Sequence, residues 1–123
     1  MKILLSDSFD ASLPDRLRKF GEVTDDKAQL PDAEVVLIRS ATKATADYIA
    51  SAPKMKLIIR GGVGLDNVDV KAAEAHGVKV FNTAAASSVA VAELAFGFLL
   101  AIPSRLIDGH MSMKEGKFLK KEL

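Results

Sequence analysis

Two arginines close two apolar runs in this chain. Arg39 follows Val35, Val36, Leu37 and Ile38, and Arg60 follows Leu57, Ile58 and Ile59. The second arginine leads directly into Gly61, Gly62, Val63 and Gly64. If the two runs are neighbouring parallel strands, both guanidinium groups stand on one rim of a sheet, beside backbone that glycine leaves bare. Guanidinium offers a flat fork of donors that matches a carboxylate or phosphate in bidentate fashion. Ser40, next to Arg39, adds a hydroxyl and an amide. The chemistry on offer is the binding of a small anion. Two plainer readings stay open: strand-end arginines as solvated tips, and the glycines as a tight turn that needs positive φ angles.

The glycine loop does not read as a dinucleotide fingerprint. Counted from Gly62, the third glycine of G-x-G-x-x-G falls on Asn67, and no helix is predicted directly behind the loop. Asp66 and Asp69 are explained as helix caps. Ser87 and Ser88 are predicted at a helix start, where backbone amides can face an anion. His76, just before Gly77, suits a helix end and has no catalytic pairing. No Ser-His-Asp or twin-carboxylate arrangement stands out, so no catalytic residue is assigned.

The elements that must hold these residues are legible from the spacing of apolar side chains. Residues 3–5, 22–24, 35–39, 55–60 and 78–81 read as strands, the third as one buried on both faces. Between them lie helical stretches. One is capped at Ser12 and closed by Gly21, one is opened by Thr42 or Thr45 and stopped by Pro53, and one is capped by Asp69 and closed by Gly77. Strand and helix alternating with short connections predict an α/β domain with a flavodoxin-like parallel sheet. Such sheets bind ligands outside the carboxyl ends of their strands, where Arg39 and Arg60 lie. After Ser88 the pattern changes to one long apolar helix, interrupted at Pro103, then a polar stretch from Lys114. The helix run is read as short of a membrane span, with Glu93 near its start, and as a buried helix.

Composition narrows the function classes. The chain has 123 residues, enough for one ordinary domain, and a net charge of +1, which gives no bulk attraction to nucleic acid or an anionic membrane. There is no Trp to stack on a base, and no Cys for disulfides, thiol catalysis or thiolate metal sites. The two histidines share no metal-ligand spacing, and no metal is expected. The start, with a polar turn after Leu5, reads as too short and too quickly polar for a signal peptide, and the expected location is cytoplasmic.

Three stretches carry a resemblance. They are residues 36–43 (VLIRSATK), residues 59–69 (IRGGVGLDNVD) and residues 81–94 (FNTAAASSVAVAEL), continued by residues 112–118 (SMKEGKF). Together they resemble the D-isomer-specific 2-hydroxyacid dehydrogenases, in order and over essentially the whole chain. Within the family the match is nearest to members that oxidise D-3-phosphoglycerate at its 2-hydroxyl, a reaction of serine biosynthesis.

The resemblance implies a division into residues 1–87, a substrate-binding flavodoxin-like domain, and residues 88–123, an interdomain and dimerisation segment. In the family a Rossmann domain follows, which binds NAD and carries the catalytic arginine, glutamate and histidine. On this reading the chain is an amino-terminal portion, inactive alone and a homo-oligomer through the long helix. Arg39 and Arg60 match positions that hold the substrate phosphate. Gly61, Gly62 and Val63 match the loop that faces the substrate carboxylate, and Val63 also matches a position that touches the nicotinamide. Ser87 stands where some relatives contact substrate, and Lys120 lies near a basic position that reaches the neighbouring subunit's phosphate. The resemblance leaves two other readings open: a related enzyme acting on glyoxylate or hydroxypyruvate, and a stand-alone binding domain of flavodoxin-like fold.

Overall fold

The computed structural model describes residues 1–119 and 121–122. It divides into two compact units, Met1–Ala86 and Ser87–Leu123.

The first unit is built on five parallel strands: β1 (Lys2–Leu5), β2 (Glu22–Thr24), β3 (Val35–Ile38), β4 (Leu57–Arg60) and β5 (Lys79–Asn82). Their order in the sheet is β2-β1-β3-β4-β5, the flavodoxin-like order, whose switch point lies between β1 and β3. Short helices connect them: α1 (Leu13–Leu17), α2 (Ala46–Ala50) and α3 (Val70–Ala75), with a 3-10 turn at Lys27–Asp32. Register aligns Leu4 with Val36, Val36 with Ile58, and Ile58 with Val80. That row packs on one face with Ile38, Ala44, Ile49 and Ala73. The alternate residues Ile3, Leu5, Val35 and Leu37 pack on the other face against Phe9, Leu13 and Leu17. Both faces are covered, which is why β3 is apolar at every position and buried throughout. Leu4, Val36, Ile38, Ile49 and Ile58 are fully buried, each contributing about 1.5–3 kcal/mol by its removal from water.

Local chemistry sets the helix ends. Thr45 accepts from the Tyr48 amide and opens α2, so Thr42 is free for another role. Asp69 accepts from the Ala72 amide and opens α3, and Gly77 closes it at φ +71°. Ser12 does not cap α1 as expected. Its hydroxyl and amide both donate to Asp10 Oδ1, which draws Ser12 away from the α1 amides.

The apolar helix also differs from expectation. α4 spans Ala84–Ala101 and so begins ahead of Ser87 and Ser88, which lie within it rather than at its start. Thr83 precedes the helix, and its carbonyl accepts the Ala86 amide. The added residues bring α4 to 18, about 27 Å at 1.5 Å each, which by length and composition is enough to cross a membrane. None of its residues is buried, against the expected buried helix. Its apolar side chains stand on all sides, a pattern one packed face cannot cover. In the second unit, Pro103 falls in the turn between α4 and α5 (Leu106–Lys114), where Arg105 takes φ +47° and Ser112 is buried.

Candidate anion site at the carboxyl rim

Arg60 is the last residue of β4 and pairs with Ile38, while Arg39 stands one residue beyond the end of β3. Both arginines therefore reach the same rim, as expected from the sequence. Their stems leave the sheet differently. Arg60 shares the face of Ile38 and Ile58 by alternation. Arg39 lies toward Phe9, which packs on the opposite face, and a Cβ placed on Gly61 would meet Phe9 at 3.1 Å and Arg39 Cγ at 3.4 Å. The loop at Gly61 and Gly62 thus runs between the two side chains.

Gly62 takes φ +147°, and an added Cβ would fall 1.7 Å from Arg60 Nη1. The guanidinium therefore occupies the volume that only glycine leaves empty. Arg60 Nε is buried and has no hydrogen-bond partner among the described residues. A buried donor left unpaired is unfavourable. Arg39 Nη1 donates to the Ser8 carbonyl at 3.2 Å, while the side chain remains exposed. Ser40 and Val63 are exposed at the rim.

The loop is fastened to the end of β5. The Gly62 amide donates to Thr83 Oγ1 at 2.9 Å, and the Thr83 amide donates to the Gly62 carbonyl at 3.0 Å. Asn82 Nδ2 donates to the Val63 carbonyl at 2.6 Å. Next to β3, Asp7 accepts from the Arg39 amide, the Thr42 amide and the Thr42 hydroxyl. Partial burial alone would raise the Asp7 pKa, but the three hydrogen bonds from Thr42 and Arg39 outweigh it and hold the carboxyl below its ordinary value. Thr42 also meets Ser6 at 3.0 Å, and Tyr48 donates to Ser6, in a network at the switch point.

Asp7, Asn67, Asn82 and Thr83 were not singled out as site residues from the sequence. The available signal was position: each follows or ends a strand at its carboxyl end, where polar side chains meet loop backbone. Ser87, the fourth residue of α4, is half-buried in the second unit and is not among the rim residues of the first. Lys120 lies outside the described residues.

A doubly wound parallel sheet that carries two arginines on its carboxyl rim defines the class, an α/β domain of flavodoxin-like fold. The sequence profile of the D-isomer specific 2-hydroxyacid dehydrogenase catalytic domain matches residues 3–119, and the chain belongs to that family. A hydroxypyruvate reductase from Thermotoga maritima is 48% identical over 94 residues, which cover 76% of this chain and 31% of that protein. A D-3-phosphoglycerate dehydrogenase from Rattus norvegicus is 39% identical over 130 residues, covering 98% of this chain and 24% of that protein. An NAD-dependent formate dehydrogenase from Staphylococcus aureus, solved in complex with NAD, is similar with a TM-score of 0.77 and 29% identity, over 96% of this chain and 42% of that one. The chain spans between about a quarter and a third of the length of the two curated relatives.

Proposed function

We propose that this chain supplies the substrate-binding part of an NAD-dependent dehydrogenase that oxidises D-3-phosphoglycerate at its 2-hydroxyl. One observation carries the reading: the Arg60 guanidinium, with its unpaired buried Nε, held against the bare backbone of Gly62. In this reading Arg60 and Arg39 flank the loop and take the phosphate through charge-assisted bonds. The loop at Gly61, Gly62 and Val63 is assigned to the carboxylate, and Ser40 adds a polar contact. The relative from Rattus norvegicus, matched over 98% of this chain, supports the choice of substrate.

The glycine loop does not fit the pyrophosphate of NAD. Asn67, in place of a third glycine, is bonded to two carbonyls, and the helix that follows begins only at Val70 and runs six residues. Val63 is the residue of this chain assigned to the nicotinamide. Bound nicotinamide supplies the hydride acceptor, and the proton of the 2-hydroxyl goes to a base outside this chain. Assembly as a homo-oligomer through α4, in the cytoplasm, belongs to the same proposal.

A second reading, reduction of hydroxypyruvate, is favoured by the 48% identity to the Thermotoga maritima relative. The test is kcat/KM of the full-length gene product for D-3-phosphoglycerate oxidation and for hydroxypyruvate reduction. Efficient phosphoglycerate turnover that falls on Arg60→Ala supports the first reading. Turnover of hydroxypyruvate alone replaces it with the second, and turnover of neither overturns both.

A further inference from the structure

Arg39 does not stand on a regular element. It begins the turn at residues 39–42 that carries the chain from β3 toward α2, and the polar backbone groups of that turn need partners from elsewhere. Two side chains provide them in a complementary way. Asp7 Oδ2, from the loop after β1, accepts the amide of Arg39 at 2.6 Å and the amide of Thr42 at 3.1 Å. Asn67 Nδ2, from the loop after β4, donates to the carbonyl of Arg39 at 2.7 Å and the carbonyl of Thr42 at 2.7 Å. The same two residues are thus held by their N–H groups from one side of β3 and by their C=O groups from the other. Asp7 Oδ1 also takes the Thr42 hydroxyl at 2.6 Å.

We propose that Asp7 and Asn67 are positioning residues: they clamp the turn at residues 39–42 between two neighbouring loops and so set where the Arg39 guanidinium stands on the rim. The inference rests on the reading that Arg39 meets the substrate phosphate. The clamp has a fixed polarity. The Asp7 side needs an acceptor because it faces two amides. The Asn67 side needs a donor because it faces two carbonyls. Asn67 Oδ1 is buried and unpartnered among the described residues, and turning the amide over would aim that oxygen at both carbonyls, so the side chain is held in one orientation. A carboxylate at position 67 would set negative charge against the same carbonyls.

The clamp is tested in this chain by amide hydrogen exchange, and in parallel by titration with D-3-phosphoglycerate followed by NMR. Asp7→Ala and Asn67→Asp are expected to speed exchange at Arg39 and Thr42 by about tenfold or more, while the Ile58 amide in β4 is unchanged. Asp7→Asn keeps the shape and one acceptor oxygen, and is expected to stay within about threefold of the parent chain. If Asp7→Ala does not fold, Asn67→Asp carries the exchange comparison. Affinity for D-3-phosphoglycerate is expected to fall about tenfold in Asp7→Ala and to recover in Asp7→Asn. In an Arg39→Ala background the same change is expected to have no further effect, because a positioning residue acts only through the group it positions. An equal loss in that background, or parent-like exchange at Arg39 and Thr42 in both Asp7→Ala and Asn67→Asp, overturns the clamp. If the parent chain does not bind D-3-phosphoglycerate, the substrate reading loses support and the exchange measurements alone decide the clamp.

Discussion

Gly62→Ala separates the two things glycine does in this loop. The new Cβ would sit 1.7 Å from Arg60 Nη1 and 2.7 Å from Cζ, where ordinary contact is near 3.4–4 Å. The guanidinium must move by roughly 2 Å, and it can, because it ends a flexible side chain. The stability change therefore comes mainly from the backbone at φ +147°, about 1–3 kcal/mol. The effect on binding is a different quantity. On the proposed function, displacing Arg60 removes a charge-assisted partner of the phosphate, about 2–4 kcal/mol. That is about thirtyfold to several hundredfold in kcat/KM for D-3-phosphoglycerate.

Gly77→Ala is the control. It also has positive φ, +71°, but nothing lies within 4 Å of its added Cβ. It should lower the melting temperature comparably and leave kcat/KM within about twofold. The assay is steady-state turnover of the full-length gene product with D-3-phosphoglycerate, alongside thermal melts. The deciding comparison is Gly62→Ala in an Arg60→Ala background, where no further loss beyond about threefold is expected. Full loss of kcat/KM in that background, or none when Arg60 is present, would refute the steric argument.

Substrate selectivity gives a second expectation. Arg60→Ala should lower kcat/KM for D-3-phosphoglycerate by about thirtyfold or more, and change that for a small unphosphorylated 2-hydroxy acid far less. Arg39→Ala should show the same bias, and equal losses for both substrates would point to the carboxylate instead. In the core, Ile58 is fully buried in β4 between β3 and β5, so Ile58→Ala should destabilise by about 2–5 kcal/mol in chemical denaturation. Asp7 has a folded-state pKa below its ordinary 3.8. Its hydrogen bonds thus add stability that is present above about pH 4 and lost as the pH falls through the lower folded value. Asp7→Asn should flatten the acid limb of a melting-temperature profile. Val89, Leu100 and Ile102 on and beside α4 are each 70% exposed, and sedimentation over a concentration series should show self-association; a monomer at high concentration that binds no apolar dye would contradict it.

Asp69 was readable as a helix cap, and Thr45 as one of two candidates with Thr42, because each acts on an amide three residues ahead, an interaction that local sequence contains. The strands were readable for the same reason: β3 is apolar at every position because both faces of a parallel strand are covered. With strands and short connections in hand, the rim carrying Arg39 and Arg60 followed from topology. Ser12 and the start of α4 were misread where two local partners compete and spacing does not choose between them: Asp10 takes the Ser12 hydroxyl, and the helix begins at Ala84 rather than after Ser88. The Asp7 and Asn67 bonds span 32 and 28 residues to Arg39. No local pattern encodes them, because they exist only once β1, β3 and β4 lie side by side. The same holds for Arg60 and Gly62. Their adjacency was legible, but only the folded chain decided that the guanidinium turns back into the space glycine leaves and keeps a buried, unpaired nitrogen there.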